Sequence, residues 1–329
     1  MKKNTVNRLS GILLAAIFLF VWLKLINWNE FLHYFQEFNL KYALLFSIFY
    51  ILAYLFRAIR WKIILNPLIK LKISESFYIF MVGMFVNYII PVRAGEVAKS
   101  FILKKKKGVN IPASLPTIFI DKLTDLFPIV LILILIPLVS VKLNTTLFII
   151  IGLIFLIFVF FLVFLHLAAS HQSTAIKFIS FTNIFIPRKY KSKVENFLDS
   201  FIEGMAIMKG RKMDTAKVYF LTTLAVLSEA IYIFMVFRAF GSEISYAKIL
   251  FGYTLMNLTY ILPTPPAQIG SNQFMWVLIF SFALGENTNL TSAAVTFSHL
   301  LTSVWILGVS AISFLALKLN FSEVVHSKN

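Results

Sequence analysis

The sequence predicts an all-α polytopic membrane protein with about six full spans and two re-entrant helical hairpins, arranged in a pattern open to an inverted repeat. Three observations predict it. The chain has 329 residues, 59% of them hydrophobic, with mean hydropathy +0.85. A soluble domain of that length cannot hide so much apolar surface. Several runs reach the roughly 18–20 apolar residues that span about 30 Å of hydrocarbon. The clearest is LFIIIGLIFLIFVFFLVFLHLAA, Leu147 to Ala169. Two further apolar stretches are broken in the middle by proline and glycine.

In chain order, MKKNTVNRLSGILLAAIFLFVWLKLI has a basic head and an apolar body, like a signal peptide. The run is long and lacks a small-residue cleavage site, so it reads as a retained first span over about 9–26. Full spans follow at about 41–64, 113–141, 145–169, 215–240 and 290–318. The broken stretches cover about 76–103 and 246–284. Their breaks are PVRAG, Pro91 to Gly95, and ILPTPPAQIG, Ile261 to Gly270. Proline removes an amide donor and clashes with the preceding turn. Non-helical backbone at membrane depth persists only where protein or water satisfies it. Each broken stretch is therefore expected to be a hairpin with its tip in a polar cavity. Its hinges are Pro91 and Gly95 in the first, and Pro263, Pro265, Pro266 and Gly270 in the second.

Charge orients the chain. The formal net charge is +17, which in a membrane protein indicates basic loops at an anionic cytoplasmic surface rather than nucleic-acid binding. Lys2, Lys3 and Arg8 put the amino terminus in the cytoplasm of a cell-membrane protein. The next loop, near Glu30, His33 and Glu37, falls outside. Lys62, Lys70, Lys72 and the run Lys104 to Lys107 return to the inside, as do Arg188, Lys189, Lys191, Lys193, Lys209, Arg211 and Lys212. One hairpin then opens from the cytoplasm and the other from outside, each followed by one span. That is the order expected of inverted repeats. NYIIP at Asn87 echoes NLTYILP at Asn257, and FIDKLTD at Phe119 echoes FSHLLTS at Phe297; chance recurrence in a Phe- and Ile-rich chain is the competing explanation. The chain divides into a first half over about 1–170, an amphipathic helix on the interface over about 189–212, and a second half over about 213–329, all within one membrane domain. There are no cysteines, so disulfides, thiolate metal sites and cysteine nucleophiles are excluded.

Polar residues in apolar surroundings mark the candidate site. Arg57 and Arg60 share a helix face. They read either as lipid-phosphate anchors that snorkel or as a guanidinium phosphate site facing a cavity. Arg93, Glu96 and Lys99 lie in the first hairpin, where an ionised group costs about 2.5–3.5 kcal/mol at the membrane centre and so needs pairing or water. A helix starting near Glu96 with an arginine beside it is a ready anion site. Asp121 and Asp125 share a face, with Lys122 between them, and are expected to pair with Arg93 or Lys99 or to bind a cation. Glu229 and His299 are lone ionisable groups within spans.

The residues NYIIPVRAGEVAK, then DKLTD, then LPTPPAQIG resemble the flippase-like membrane region of lysylphosphatidylglycerol synthases and their stand-alone relatives. The family pattern has Asn, Pro, Arg, Gly and Glu at the spacing of Asn87, Pro91, Arg93, Gly95 and Glu96, with a basic residue where Lys99 stands. Its last motif reads closer to Pro-Gly-Gly-x-Gly with a following Glu. Here Ala267 and Gln268 replace glycines, and Gln273 stands in the acid's place. The resemblance implies movement of an anionic phospholipid or polyprenyl-phosphate-linked lipid between leaflets. Taken together with the ionisable residues above, it places the headgroup at Arg93, Lys99 and Asn87, with Arg57 and Arg60 as its entry station, and a supporting polar network at Glu96, Asp121, Asp125, Glu229, His299 and Gln273. No cofactor is expected. Membrane lipids are the expected partners, with a homo-oligomer or an envelope enzyme as further ones. With the chain ending at Asn329, lysyl transfer is not expected of it. Two other readings compete. One is a transferase that binds a magnesium diphosphate through the D-x-x-x-D pair Asp121 and Asp125, for which no second acidic cluster stands in a span. The other is an accessory protein of envelope biogenesis.

Overall fold

The computed structural model describes residues 3–90, 94–135, 149, 151–153, 155–160, 162–163, 204, 206–259 and 265–321. Pro91, Arg93 and Pro263, the end of the third predicted span, much of the fourth and most of the interfacial helix lie outside the described residues. Within them the regular elements are helices, and three are long and apolar enough to cross a membrane, or four if one bent pair counts as a span.

Helix α1 (Lys3–Leu25) is followed by α2 (Trp28–Gln36), and the chain bends by 83° between them. The region around Glu30 and His33, expected as a loop, is thus helical. The reason is local: the Asn27 side chain accepts from the amides of Asn29 and Glu30 and caps the new helix. Helices α3 (Leu40–Phe46) and α4 (Ile48–Leu65) together form the second span. Helix α9 (Lys212–Ala239), named after the elements in between, lies along α4. Ala53, Ala58, Ala225 and Ala230 are all buried; small side chains let membrane helices approach closely.

The first broken stretch is α5 (Ile73–Ile89) and α6 (Gly95–Lys107), folded back on one another. The antiparallel register is fixed by Glu75 with Lys107 near the open end, Gly83 against Lys99 midway, and Asn87 with Gly95 and Glu96 near the tip. A Cβ on Gly95 would stand 1.9 Å from the Gly83 carbonyl oxygen, so the close approach requires glycine. Gly108, at φ 70°, ends α6 after four lysines that complement its carboxyl-terminal dipole. The second broken stretch repeats the shape. Helix α10 (Tyr246–Thr259) pairs antiparallel with α11 (Ser271–Trp276), which widens into a π-helical segment over Val277–Ala283. Lys248 with Glu286 and Gly252 with Phe280 set that register. The arms contain 17, 13 and 14 residues, and 6 plus 7 in the last. At 1.5 Å per residue none exceeds about 26 Å, short of the roughly 30 Å hydrocarbon core.

The third predicted span is not continuous. Helix α7 (Ile111–Thr124) stops, and α8 (Ile129–Leu135) starts after a turn. Pro128 causes the break: it has no amide to give, and its ring would strike the carbonyl of Thr124, the last residue of α7. The amides of Asp125, Leu126 and Phe127 turn back three residues instead. The last span is α12 (Thr288–Ala316), capped by Asn287. Its inner face buries Ala293, Ala294, Ser298 and Ser310, and Ser310 donates to the Met81 carbonyl of α5. Its outer stripe of Leu300, Val304, Leu307 and Leu315 is exposed, as a lipid-facing surface requires.

Candidate functional site

The polar residues meet between the two hairpins. Arg60, on the inner face of α4, is 1% exposed. Its Nε and one terminal nitrogen lie 2.8 Å from Asp121 Oδ1, and that terminal nitrogen also reaches Asp125 Oδ1 at 2.8 Å. Its other terminal nitrogen donates to Thr222 Oγ1 of α9 at 3.1 Å. One guanidinium thus ties α4, α7 and α9 together. Asp121 is wholly buried, and a charge held there is tolerated only when paired. One turn earlier on α4, Arg57 meets Glu229 of α9 at 2.5 Å and lies over the Tyr54 ring.

The first hairpin joins through Glu96. Its carboxylate takes Lys99 at 2.6 Å, Lys122 at 3.2 Å and the Asn87 amide nitrogen at 3.1 Å. Lys99 is 2% exposed, with its ammonium over the rings of Trp61 and Phe80 and 3.9 Å from Asp121. Lys122 completes the circuit by pairing with Asp125 at 3.3 Å. In the second hairpin, the Gly270 amide donates to Gln273 Oε1. The amide nitrogen of Gln273 therefore faces His299 Nδ1, 3.1 Å away. A neutral His299 ring then carries its proton on Nε2.

These groups surround one cavity of about 420 Å³. Arg57, Glu229, Lys122, Glu96 and Asp125 line it from α4, α9, the α7 region and the first hairpin, and Asn257, Gln268, Asn272 and His299 from the second hairpin and α12. Both hairpins and the last span contribute to its wall.

Several expectations change. Arg60 does not snorkel; it is the nearest buried partner of both aspartates, and the expected Lys99 also reaches Asp121, at 3.9 Å. Glu229 is not a lone acid, since Arg57 answers it. The Gly95 amide at the start of α6 is taken by Asn87 Oδ1 at 2.8 Å, and Glu96 stands beside it, so that helix start is not an open anion site. Asn87 lines the cavity with its carboxamide committed to Gly95 and Glu96, while Lys99 stays behind the wall. Lys122, seen in the sequence only as the residue between two aspartates, is the lysine that reaches the cavity; its i,i+3 spacing to Asp125 was the available signal. Asp121 and Asp125 are turned to Arg60, and among the described residues no group of three or more His, Asp or Glu is placed to hold a metal ion.

The sequence model of the lysylphosphatidylglycerol synthase transmembrane region matches residues 8–317. The chain belongs to that family. Within the synthase transmembrane-region family, it is similar to two UPF0104 membrane proteins of Methanothermobacter thermautotrophicus. One is 24% identical over 237 residues, covering 68% of each chain. The other is 23% identical over 274 residues, covering 78% of this chain and 80% of the relative. No solved structure matches the chain. In this family member the replaced glycines have a structural consequence. Ala267 and Gln268 sit at φ 52° and 55°, in the left-handed region that favours glycine, and Gly270 follows at φ 75° against the backbone of Ala15 and Leu19 in α1.

Proposed function

We propose that this protein binds the headgroup of an anionic lipid between its two hairpins and carries it from one leaflet to the other. The observation that supports this best is the cavity of about 420 Å³, whose wall presents Arg57 and Lys122, among other polar groups, inside a largely apolar helical body. A headgroup needs a polar path through hydrocarbon, while its tails stay in lipid. The Glu229 contact uses one nitrogen of Arg57, and a guanidinium has five N–H donors to share. Lys122 holds Glu96 of the first hairpin to Asp125 beside the α7 break. A phosphate that draws Lys122 away loosens that tie, so the arriving lipid itself frees the hairpin to move. This is the differential interaction that a ligand-driven change requires. Arg60, Asp121 and Lys99 act as the buried frame that holds these groups.

In this reading the two hairpins open to opposite faces of the cell membrane and alternate, as in inverted repeats, with the amino terminus inside. Arg93, two residues before Gly95, belongs to the headgroup site on sequence position alone. The test is mass spectrometry of lipids retained by the purified protein. Anionic phospholipid or polyprenyl phosphate is expected on the wild type and is expected to be depleted on Arg57→Ala. An unchanged lipid profile in that variant contradicts the proposal.

A further inference from the structure

The nine residues of α2 sort into three strips around the helix. Glu30, Phe31 and Tyr34 turn inward, with Phe31 buried and the other two half-buried. Trp28, Leu32 and Phe35 stand at i, i+4 and i+7, so they share one side, and all three are exposed. Asn29, His33 and Gln36 form a second exposed strip, polar and about 100° further round the axis. The helix thus offers an apolar edge and a polar edge side by side.

Both ends of α2 are tied to the spans. At its start the Asn27 amide donates to Asn289 Oδ1, and the Glu30 carboxylate accepts from the side-chain nitrogens of Asn287 and Asn289, where α12 begins. Beyond its end the Asn39 amide donates to the Ala239 carbonyl, the last residue of α9, and the Phe35 ring meets Phe240 edge-on. Helix α2 therefore bridges the end of α9 and the start of α12, at 83° to α1.

Its depth follows from the chain on either side. Helix α1 carries an exposed apolar stripe of Leu13, Ile17 and Phe20, and the exposed Lys24 follows one turn later. A lysine at the end of such a stripe stands where hydrocarbon gives way to headgroups. Helices α3 and α4 open the next exposed stripe with Leu40, Leu44, Leu45 and Ile48. Helix α2 lies between those two stripes, and it begins with a tryptophan, the residue that favours the membrane–water boundary.

We propose that α2 docks on the lipid surface of the leaflet at the carboxyl end of α1, the outer one by the charge pattern. Trp28, Leu32 and Phe35 enter the boundary between headgroups and acyl chains, and Asn29, His33 and Gln36 face water. A lipid surface is the occupant because the open apolar strip continues the lipid-facing stripes of α1 and α3. Helix α2 contains no lysine or arginine, so apolar insertion holds it and anionic lipid is not required. Through Glu30, the docked helix sets the start of the last span at that level. The docking does not depend on the lipid-carrying function proposed above.

The chain has no cysteine, so single cysteines can be introduced without removing any. Leu32→Cys, Phe35→Cys, Asn29→Cys and His33→Cys, each carrying a nitroxide label, are reconstituted as full-length protein in phosphatidylcholine vesicles. Ile17→Cys serves as the lipid-facing control. All five positions are exposed, so the labels displace no core side chain. Spin-label power saturation then compares collision with dissolved oxygen, which concentrates in lipid, and with a water-soluble nickel chelate. Oxygen is expected to dominate at Leu32 and Phe35, as at Ile17, and nickel at Asn29 and His33. The same order is expected in phosphatidylglycerol vesicles; an order seen only there overturns docking by apolar insertion. If nickel reaches all four α2 positions equally, the helix stands in water and the proposal is overturned. If neither reagent reaches Leu32 and Phe35, protein covers the strip, a second copy where the spectra also broaden, and the proposal is overturned as well.

Discussion

Arg60 donates to two carboxylates and a threonine from a position 1% exposed. Without its guanidinium, the buried Asp121 keeps only Lys99, at 3.9 Å. Removing one partner of a buried ion pair costs about 3–5 kcal/mol, because the remaining charge is stranded. Arg60→Met should therefore lower stability by about that amount, read by thermal unfolding in detergent. Arg60→Met combined with Asp121→Leu should recover much of the loss, since an apolar pair in place of a buried ion pair is often neutral. At the other hairpin, Ala267 is held at φ 52°. A non-glycine residue there carries roughly 1–2 kcal/mol of strain, and glycine gives back part of the relief through its freer unfolded chain. Ala267→Gly should stabilise the protein by about 1 kcal/mol, seen as a higher unfolding midpoint. The sequence marked the ionisable residues correctly as costly, because any charge in an apolar run must be answered. It named Lys99 for Asp121, a pair that the structure has at 3.9 Å, but not the nearer partners. Arg60 and Asp121 are 61 residues apart, and Arg57 and Glu229 sit on separate spans, so no local periodicity links them. Lys122 was passed over because a lysine between two aspartates looks like local charge balance, and only the fold turns it to the cavity.

At the level of elements, the two hairpins were legible because proline and glycine interrupt apolar runs at their centres, and the chemistry of those residues leaves few alternatives. The break in α7 was not. Pro128 stands in a long apolar stretch that satisfies a hydropathy reading, and its effect appears only when Thr124 is seen as the last helical residue. That break frees Asp125 to face both Arg60 and Lys122. The helix at Trp28–Gln36 was missed for another reason: Glu30, His33 and Glu37 drew the reading towards a loop between spans, while the segment is an amphipathic helix capped by Asn27. The first hairpin depends on backbone contact at Gly83 and Gly95. A methyl on Gly95 meets the Gly83 oxygen at 1.9 Å and the Asn87 side chain at 2.7 Å. Backbone cannot yield there as a flexible side chain does, so Gly95→Ala should cost at least about 1–3 kcal/mol, the usual range for overpacking. Gly108→Ala serves as the comparison. It meets no atom within 4 Å and suffers only from its φ of 70°, so its unfolding midpoint should fall less. Equal midpoints for the two variants would contradict the tight crossing.

For the molecule as a whole, the composition already required a membrane, and the family match over residues 8–317 agrees with that reading. The arrangement adds a division of labour. An outer shell of exposed leucine, valine and phenylalanine meets lipid, and a tied polar frame stands within it. A cavity reached by both hairpins lies at its centre. In the described frame, Arg57, Arg60, Lys99 and Lys122 face Glu96, Asp121, Asp125 and Glu229, so the resting centre is charge-balanced without a ligand. An incoming phosphate must compete with those carboxylates. Such competition suits transient holding better than tight storage, as the proposed transport requires. The most direct measurement is leaflet exchange of a fluorescent anionic phospholipid in proteoliposomes, comparing the wild type with the double variant Arg57→Ala and Lys122→Ala. Exchange well above protein-free vesicles, falling at least about tenfold in the variant, is the expected result. Equal exchange in the two proteins, with both folded, would contradict the account.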